Sequence, residues 1–428
     1  MRKAHIISIG NELLIGDTIN TNASWLGGLL TEQGFYVEQV FTIPDDYDII
    51  IKKVKDSLHQ ADLTVVTGGL GPTHDDITKK VMVDLFDSKL IEDREVLDYI
   101  KMIFERRGFT FSRTNAAQAL VPENCEVLFN NKGTAPGMWF EKDGNILTVL
   151  PGVPNEMKFL MEKRVLPKVH KLFPDREVWA TRYFKTAGVP ESTLSEQIGD
   201  LDLFVSNGVG VAYLPSPAGV TIRISANADT LQQAEGKLTK LKDLLYEKAG
   251  DVIFGEGKNL NLEEVTGKIL TDSKLSIATA ESCTGGLLSS KITDIPGSSS
   301  YMKGGIVAYG NEIKISELNV KNKDLEKDGA VSKNVALQMA KGVAEKLRAD
   351  IGVSATGIAG PDGGTDEKPV GTVWMGFWIK GDHFAIKAVL SNDRLLNKER
   401  TVMIILETIR RRLQGVNELP YQLKPYSA

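Results

Sequence analysis

The sequence predicts a multidomain α/β protein: a doubly wound parallel sheet at the N-terminus, a small α+β module in the middle, and a second α/β unit at the C-terminus. Three observations support this. Short apolar runs such as His5 to Ile9 and Leu63 to Thr67 end in glycine-containing turns and alternate with segments of helical periodicity. Between Val178 and about Phe254 the pattern changes to a short strand, a helix, two strands and a helix. The alternation then resumes, with apolar strands that end in Gly/Ser-rich loops at 279–286 and 354–364. A length of 428 residues exceeds one ordinary core and suggests two to four domains.

In the first domain, 1–174, the His5 to Ile9 strand is broken by Gly10-Asn11-Glu12 ahead of the amphipathic segment Asn22 to Gln33. Tyr36 to Ile43 is a second strand, and Pro44-Asp45-Asp46 opens a helix from Tyr47 to Gln60 with Ile49, Ile50, Val54 and Leu58 on one face. Leu63 to Thr67 runs into Gly68-Gly69-Leu70-Gly71-Pro72, two helical segments occupy about 75–107, and short strands lead to Asn145–Leu150. The middle module, 175–254, ends in a helix with Leu231, Leu238, Leu241 and Leu245 on one face, and Gly255 to Asn259 reads as a linker. The third domain, 259–414, reads as helix 260–273, strand 275–279, helix 285–294, strand 304–309, helix 332–348, strands 350–355, 370–379 and 383–390, and helix 393–413. The tail 415–428 reads as loosely held.

Hydrophobic residues at 42% and charged residues at 25% are those of a globular protein. A net charge of −5 supplies no global field for nucleic acid. Cys125 and Cys283, the only cysteines, lie in different domains, which argues against a disulfide framework and makes a reducing cytoplasm the natural compartment. The N-terminal apolar run, Ala4 to Ile9, is too short for a signal peptide, and no stretch approaches the ~18 apolar residues of a membrane span.

Chemistry concentrates in two places. In the third domain, Ser282 follows a strand and precedes Gly285 and Gly286, where an exposed hydroxyl would face backbone N–H groups that favour anions; the same position suits an N-cap. Its base is hard to find among five histidines, since only His383 belongs to this domain and it reads as a satisfied strand residue. Lys314, five residues beyond Tyr309, can serve if burial lowers its pKa, or it is a solvated helix residue. Cys283 reads as a small buried thiol and Asp362-Gly363-Gly364 as a turn. The Gly/Ser-rich loops around Ser282, Ser299 and Thr356-Gly357 suggest one shared pocket.

In the first domain, the Thr67 to Thr78 loop joins a strand end to a helix start, a geometry that holds phosphate, without a Walker ending or a dinucleotide fingerprint. Asp75 and Asp76 suit either a hard divalent cation or the helix start. Together with Glu12, Asp45 and Asp46 they are expected to converge on one sheet edge, where His74 can join them.

These residues closely resemble the CinA family, named for competence/damage-inducible protein A. TAESCTGG at 279–286, ITDIPGSSS ending at Ser300, AYGNEIK at 308–314, GAVS at 329–332 and SATGIAGPDGG at 354–364 are similar to its C-terminal amidase domain. GNELLIGD at 10–17, TNA at 21–23, TGGLGPTHDDIT at 67–78 and LPGVPNEM at 150–157 resemble its N-terminal molybdopterin-binding-like domain. The resemblance implies an amidohydrolase that converts nicotinamide mononucleotide to nicotinate mononucleotide and ammonia without a cofactor. Ser282 would be the nucleophile and Lys314 the base. Tyr309, Ser299 and Thr356 would support them, with Ser299 the runner-up nucleophile. N–H groups near Gly285, Gly286 or Gly357 would hold the oxyanion, and Arg394 is a candidate for the phosphate. For the first domain it implies hydrolysis of ADP-ribose to AMP and ribose 5-phosphate with a divalent metal ion (Mg, Mn or Co). Asp45, Asp75 and Asp76 would hold the metal, Gly68 and Gly69 the pyrophosphate, and Glu12 and Asn22 further parts of the substrate. The middle module resembles the family's KH-like insert but has no Gly-x-x-Gly loop with basic neighbours, so RNA binding is discounted. A homodimer is expected.

Overall fold

In the computed structural model, which describes residues 2–71, 77–174, 178–379 and 382–427, the chain divides into two compact units. These are Met1–Ala180 with Asn227–Glu235, and Thr181–Ala226 with Gly236–Ala428. No helix among the described residues is long and apolar enough to cross a membrane.

The first unit is built on strands β1 (Arg2–Ile9), β2 (Phe35–Ile43) and β3 (Leu63–Thr67), a separate ribbon of β4 (Leu90–Glu92) and β5 (Leu120–Pro122), then β6 (Glu126–Leu128), β7 (Gly137–Lys142) and β8 (Asn145–Leu150). The six-stranded sheet has the order β2-β1-β3-β8-β7-β6, with β2, β1, β3 and β8 parallel and β7 antiparallel to both of its neighbours, β8 and β6. Alternate residues of β1 serve two cores. Ala4 and Ile6 pack with Leu26 and Leu30 of the Thr21–Glu32 helix, while Ile7 and Ile9 pack with Ile50, Val54 and Leu58 of the Tyr47–Gln60 helix. A strand covered on both faces reads as a nearly continuous apolar run, interrupted here by the buried His5 and Ser8. Ile49 departs from expectation and is 43% exposed, because one helical step from Ile50 turns it about 100° away from the sheet.

The middle module has β9 (Val178–Thr186), β10 (Val209–Ser216), β11 (Gly219–Ala228) and β12 (Ile253–Glu256) in the order β10-β11-β9-β12. Its start falls at β9, and the expected linker begins inside a strand: Gly255 and Glu256 pair with Lys185 and Phe184. On the Leu231–Ala249 helix, Leu238, Leu241 and Leu245 are buried, but Leu231 at its first position is exposed.

The last sheet has β13 (Ile277–Glu281), β14 (Met302–Val307), β15 (Ile351–Gly357), β16 (Thr372–Ile379), β17 (Asp382–Val389) and β18 (Pro425–Ser427), in the order β14-β13-β15-β16-β17-β18. Central β13 runs parallel to both neighbours, and the remaining pairings are antiparallel. Ile277 faces a core shared with the Leu262–Asp272 and Arg394–Leu413 helices, whereas Ala278 and Ala280 face Met339 and Val343 of the Lys333–Leu347 helix. The tail is tied down rather than loose, since β18 pairs with β17 and Leu419 is buried.

Near its C-terminus the Arg394–Leu413 helix carries a buried charge cluster. Glu407 accepts from Nε and Nη2 of Arg410 and from Nε of Arg411, at 2.6–2.7 Å. Further guanidinium hydrogens go to the carbonyls of Asp251 (2.7 Å), Ala187 (3.2 Å) and Glu418 (3.2 Å) and to the Gln414 side-chain oxygen (2.7 Å). Buried charges persist only when paired and hydrogen-bonded in this way.

Candidate active site

Glu281 ends β13 and Ser282 is the first residue beyond it. The Ser282 N–H donates to the Ala355 carbonyl (2.9 Å) and the Ala308 N–H to the Glu281 carbonyl (2.8 Å), so Ser282 stands half-buried between the ends of β14 and β15. It does not cap the following helix, Leu287–Thr293, whose N-cap is Gly286. The capping falls to Glu281, whose fully buried carboxylate accepts from the N–H groups of Gly286 (2.9 Å), Leu288 (3.0 Å) and Ser289 (2.8 Å) and from the Ser289 hydroxyl (2.7 Å). Sequence reasoning missed this residue. Its signal is a glutamate ending an apolar strand just ahead of a helix start, where an anion complements the free N–H groups.

Gly285 and Gly286 adopt φ +64° and +96°, the left-handed region that favours glycine. Their N–H groups are already engaged, Gly285 with the Ser282 carbonyl and Gly286 with Glu281. For an anion near Gly285 this leaves the neighbouring N–H groups rather than those of the two glycines themselves. Among the described residues, the Thr284 N–H makes no hydrogen bond and the Cys283 N–H meets only its own thiol, so these are the donors left in the turn. The Cys283 thiol is buried and pushed up to about 12, which keeps it protonated.

Lys314 sits in the first turn of the Asn311–Leu318 helix, and its side chain leans back toward the helix N-terminus. There Nζ donates to the carbonyls of Ala308 (2.8 Å) and Tyr309 (3.1 Å). It is 1% exposed, so the solvated alternative does not hold, and burial lowers its pKa. A neutral amine with two hydrogens on these carbonyls keeps its lone pair for a third partner. Since Ala308 is bonded to Glu281, this amine stands at the strand end that Ser282 follows.

Tyr309 is exposed, and its hydroxyl accepts from Nη2 of Arg394 (3.1 Å), whose Nη1 donates to the Gly360 carbonyl (2.9 Å). Thr356 donates its hydroxyl to the Ala330 carbonyl (2.8 Å), and Gly357 ends β15 opposite Val373. Ser299 is placed elsewhere. It lies in the turn before β14, and β14 runs parallel to β13, so within one chain Ser299 stands at the sheet edge opposite Ser282. The expected shared pocket therefore loses this loop, which precedes a strand rather than following one. His383 bonds the Leu337 carbonyl through Nε2 (3.0 Å), as a satisfied strand histidine. A cavity of about 600 Å³ walled by Val189, Pro215, Val389, Arg400 and Tyr421 holds none of these catalytic candidates.

In the first unit, Glu12, Asp45, Asp46 and Gly68 follow the parallel ends of β1, β2 and β3. Gly68 and Gly69 have φ +110° and +64°, and side chains there would collide with the Ile9 carbonyl and the Thr78 hydroxyl. Asp45 accepts the Asn11 N–H (2.9 Å), and Asp46 caps the Tyr47–Gln60 helix by accepting from Ile49 (3.0 Å). Glu12 is exposed. Asn22 is buried beside a cavity of about 110 Å³; its Nδ2 donates to the Gly152 carbonyl (2.7 Å) and Thr67 hydroxyl (3.3 Å), while its Oδ1 has no donor among the described residues. His74, Asp75 and Asp76 lie outside the described residues. Among the described residues no three His, Cys, Asp or Glu side chains are grouped to hold a metal ion.

These features define a multidomain α/β protein with a serine and a buried lysine amine at the parallel edge of its last sheet. The chain belongs to the family of CinA-like proteins. It is 42% identical to the CinA-like protein of Salinibacter ruber over 412 residues, covering 96% of this chain and 99% of that relative. It is 41% identical to the CinA-like protein of Dictyoglomus thermophilum over 411 residues, with the same shares covered. Family profiles match residues 5–171 ("Probable molybdopterin binding domain"), 181–255 ("Damage-inducible protein CinA KH domain") and 259–413 ("CinA C-terminal domain"). This domain content supports an enzyme that processes nucleotides.

Proposed function

We propose that the chain is a bifunctional nucleotide hydrolase whose C-terminal domain deamidates nicotinamide mononucleotide. The observation that carries this reading is the buried Lys314 amine, held by two carbonyls at the strand end that Ser282 follows. As Ser282 Oγ attacks the carboxamide carbon, the neutral Lys314 amine accepts its proton, and the carbonyl oxygen becomes an oxyanion beside the Cys283 and Thr284 N–H groups. The Lys314 ammonium returns the proton to the departing nitrogen and ammonia leaves. Water then attacks the Ser282 ester, gives its proton to Lys314, and releases nicotinate mononucleotide as the serine is reprotonated. Ammonia release by the purified protein tests the reading, and Ser282→Ala or Lys314→Met that retained activity would remove that residue from it.

For the N-terminal domain the reading is hydrolysis of ADP-ribose to AMP and ribose 5-phosphate. The donor set Asp45, Asp75 and Asp76 is all carboxylate, which suits a hard divalent cation such as Mg, Mn or Co. A cation held there would neutralise pyrophosphate charge. The turn at Gly68 and Gly69 would hold the pyrophosphate, and the Asn22 Oδ1 accepts a substrate hydroxyl or N–H. The profile match over 5–171 favours a second reading for this domain, a pterin- or adenylate-binding or transferase module. Transfer of adenylate onto a pterin without ADP-ribose cleavage would select it. A third reading, a DNA-uptake or repair adaptor, requires salt-sensitive DNA binding by the intact chain. A cytoplasmic homodimer completes the proposal.

A further inference from the structure

We infer that Lys398 is the second cation of an anion clamp with Arg394, and that the ligand recognised at the Ser282 edge carries a phosphate monoester. The two residues are four apart at the start of the Arg394–Leu413 helix and share one face of it. The Lys398 ammonium approaches the catalytic turn directly, since its Nζ is 3.6 Å from the position that a Cβ on Gly285 would occupy. Lys398 is half-buried, yet it makes no hydrogen bond or ion pair with any described residue. The nearby carboxylate of Glu281 is not available to it, being occupied by three N–H groups and a hydroxyl. Arg394 directs Nη1 to the Gly360 carbonyl and Nη2 to the Tyr309 hydroxyl. Two of its five donors are so engaged, which leaves it too few to hold a phosphate alone. A dianion with three acceptor oxygens can instead bridge an exposed guanidinium and a point-charge ammonium one helical turn apart.

The inference rests on the amidase reading, and the test separates the two. Nicotinamide mononucleotide and nicotinamide riboside, which lacks the phosphate, are compared as substrates of the full chain and of Lys398→Met. The variant should raise KM for the mononucleotide by about tenfold to a hundredfold, the scale of one charge-assisted hydrogen bond, and leave the riboside unchanged. Lys398→Arg should restore most of the loss. An equal change with both amides, or none with either, overturns the clamp. Inorganic phosphate titrated calorimetrically provides a readout independent of turnover: binding weakened in Lys398→Met and retained in Lys398→Arg supports the clamp, and equal binding by all three proteins overturns it. Absence of ammonia from both amides would refute the proposed reaction, and the phosphate titration would still decide the role of Lys398.

Discussion

At the edge of β13, the two fully buried ionisable side chains have partners within the chain: Glu281 is held by the helix that follows it, and Lys314 by two carbonyls. At the corresponding edge of the first unit the described carboxylates lie nearer water, and the buried polar group, Asn22, keeps an oxygen with no donor among the described residues. The first arrangement holds a reactive amine in place before any ligand arrives. The second leaves a hydrogen-bond position for the ligand to fill. Preorganised charge is expected where a protein side chain carries out the proton transfer, and unfilled acceptors where substrate and cation complete the site.

Four measurements can break or sharpen this contrast. The largest effect belongs to the nucleophile: Ser282→Ala should lower kcat for ammonia release by on the order of 10⁴–10⁶ while far-UV circular dichroism and ADP-ribose cleavage stay unchanged. The pH dependence comes next. Lys314 accepts a proton only when neutral, so kcat/KM should rise about tenfold per pH unit on the acid limb. It should level off at a midpoint below the ordinary 10.5, because burial lowers the pKa. A midpoint at or above 10.5 would contradict a buried base. Third, Glu281→Ala leaves three N–H groups without their acceptor and should cost about 3 kcal/mol, read from the midpoint of denaturant unfolding. An unchanged midpoint would mean that water replaces the carboxylate. The smallest effect is expected at the other edge, where Asn22→Ala should raise KM for ADP-ribose by about tenfold and leave ammonia release intact. Equal loss of both activities would show that Asn22 supports the fold rather than a ligand.

Much of this was legible in the chain. Strands buried on both faces write themselves as unbroken apolar runs, so β1, β3, β13 and β15 and the turns at their ends could be found without coordinates. Ser282 and Lys314 were candidates by residue type and by the shortage of histidine, but a helix cap and a solvated helix residue suited the same positions, and the family resemblance gave them their roles. Ser299 was misplaced because a Gly/Ser loop looks the same before a strand as after it, and only the parallel pairing of β13 and β14 tells which edge it occupies. Glu281 was invisible because a glutamate at a strand end ordinarily reads as a residue emerging into solvent. The pairing of the tail with β17 joins positions about forty residues apart, which no local pattern reports. Lys398 was hidden on a helix rich in basic residues, where only proximity to Gly285 distinguishes it.

The Glu407 cluster limits where this chain can be cut. A fragment begun at residue 259 would keep Glu407, Arg410 and Arg411 but lose the carbonyls of Ala187 and Asp251 that accept further hydrogens from the two arginines. Two guanidinium groups would then face a seam opened to water, on the helix whose other end presents Arg394 and Lys398 to the catalytic turn. The middle module thus supplies two of the carbonyls that hold the C-terminal end of that helix.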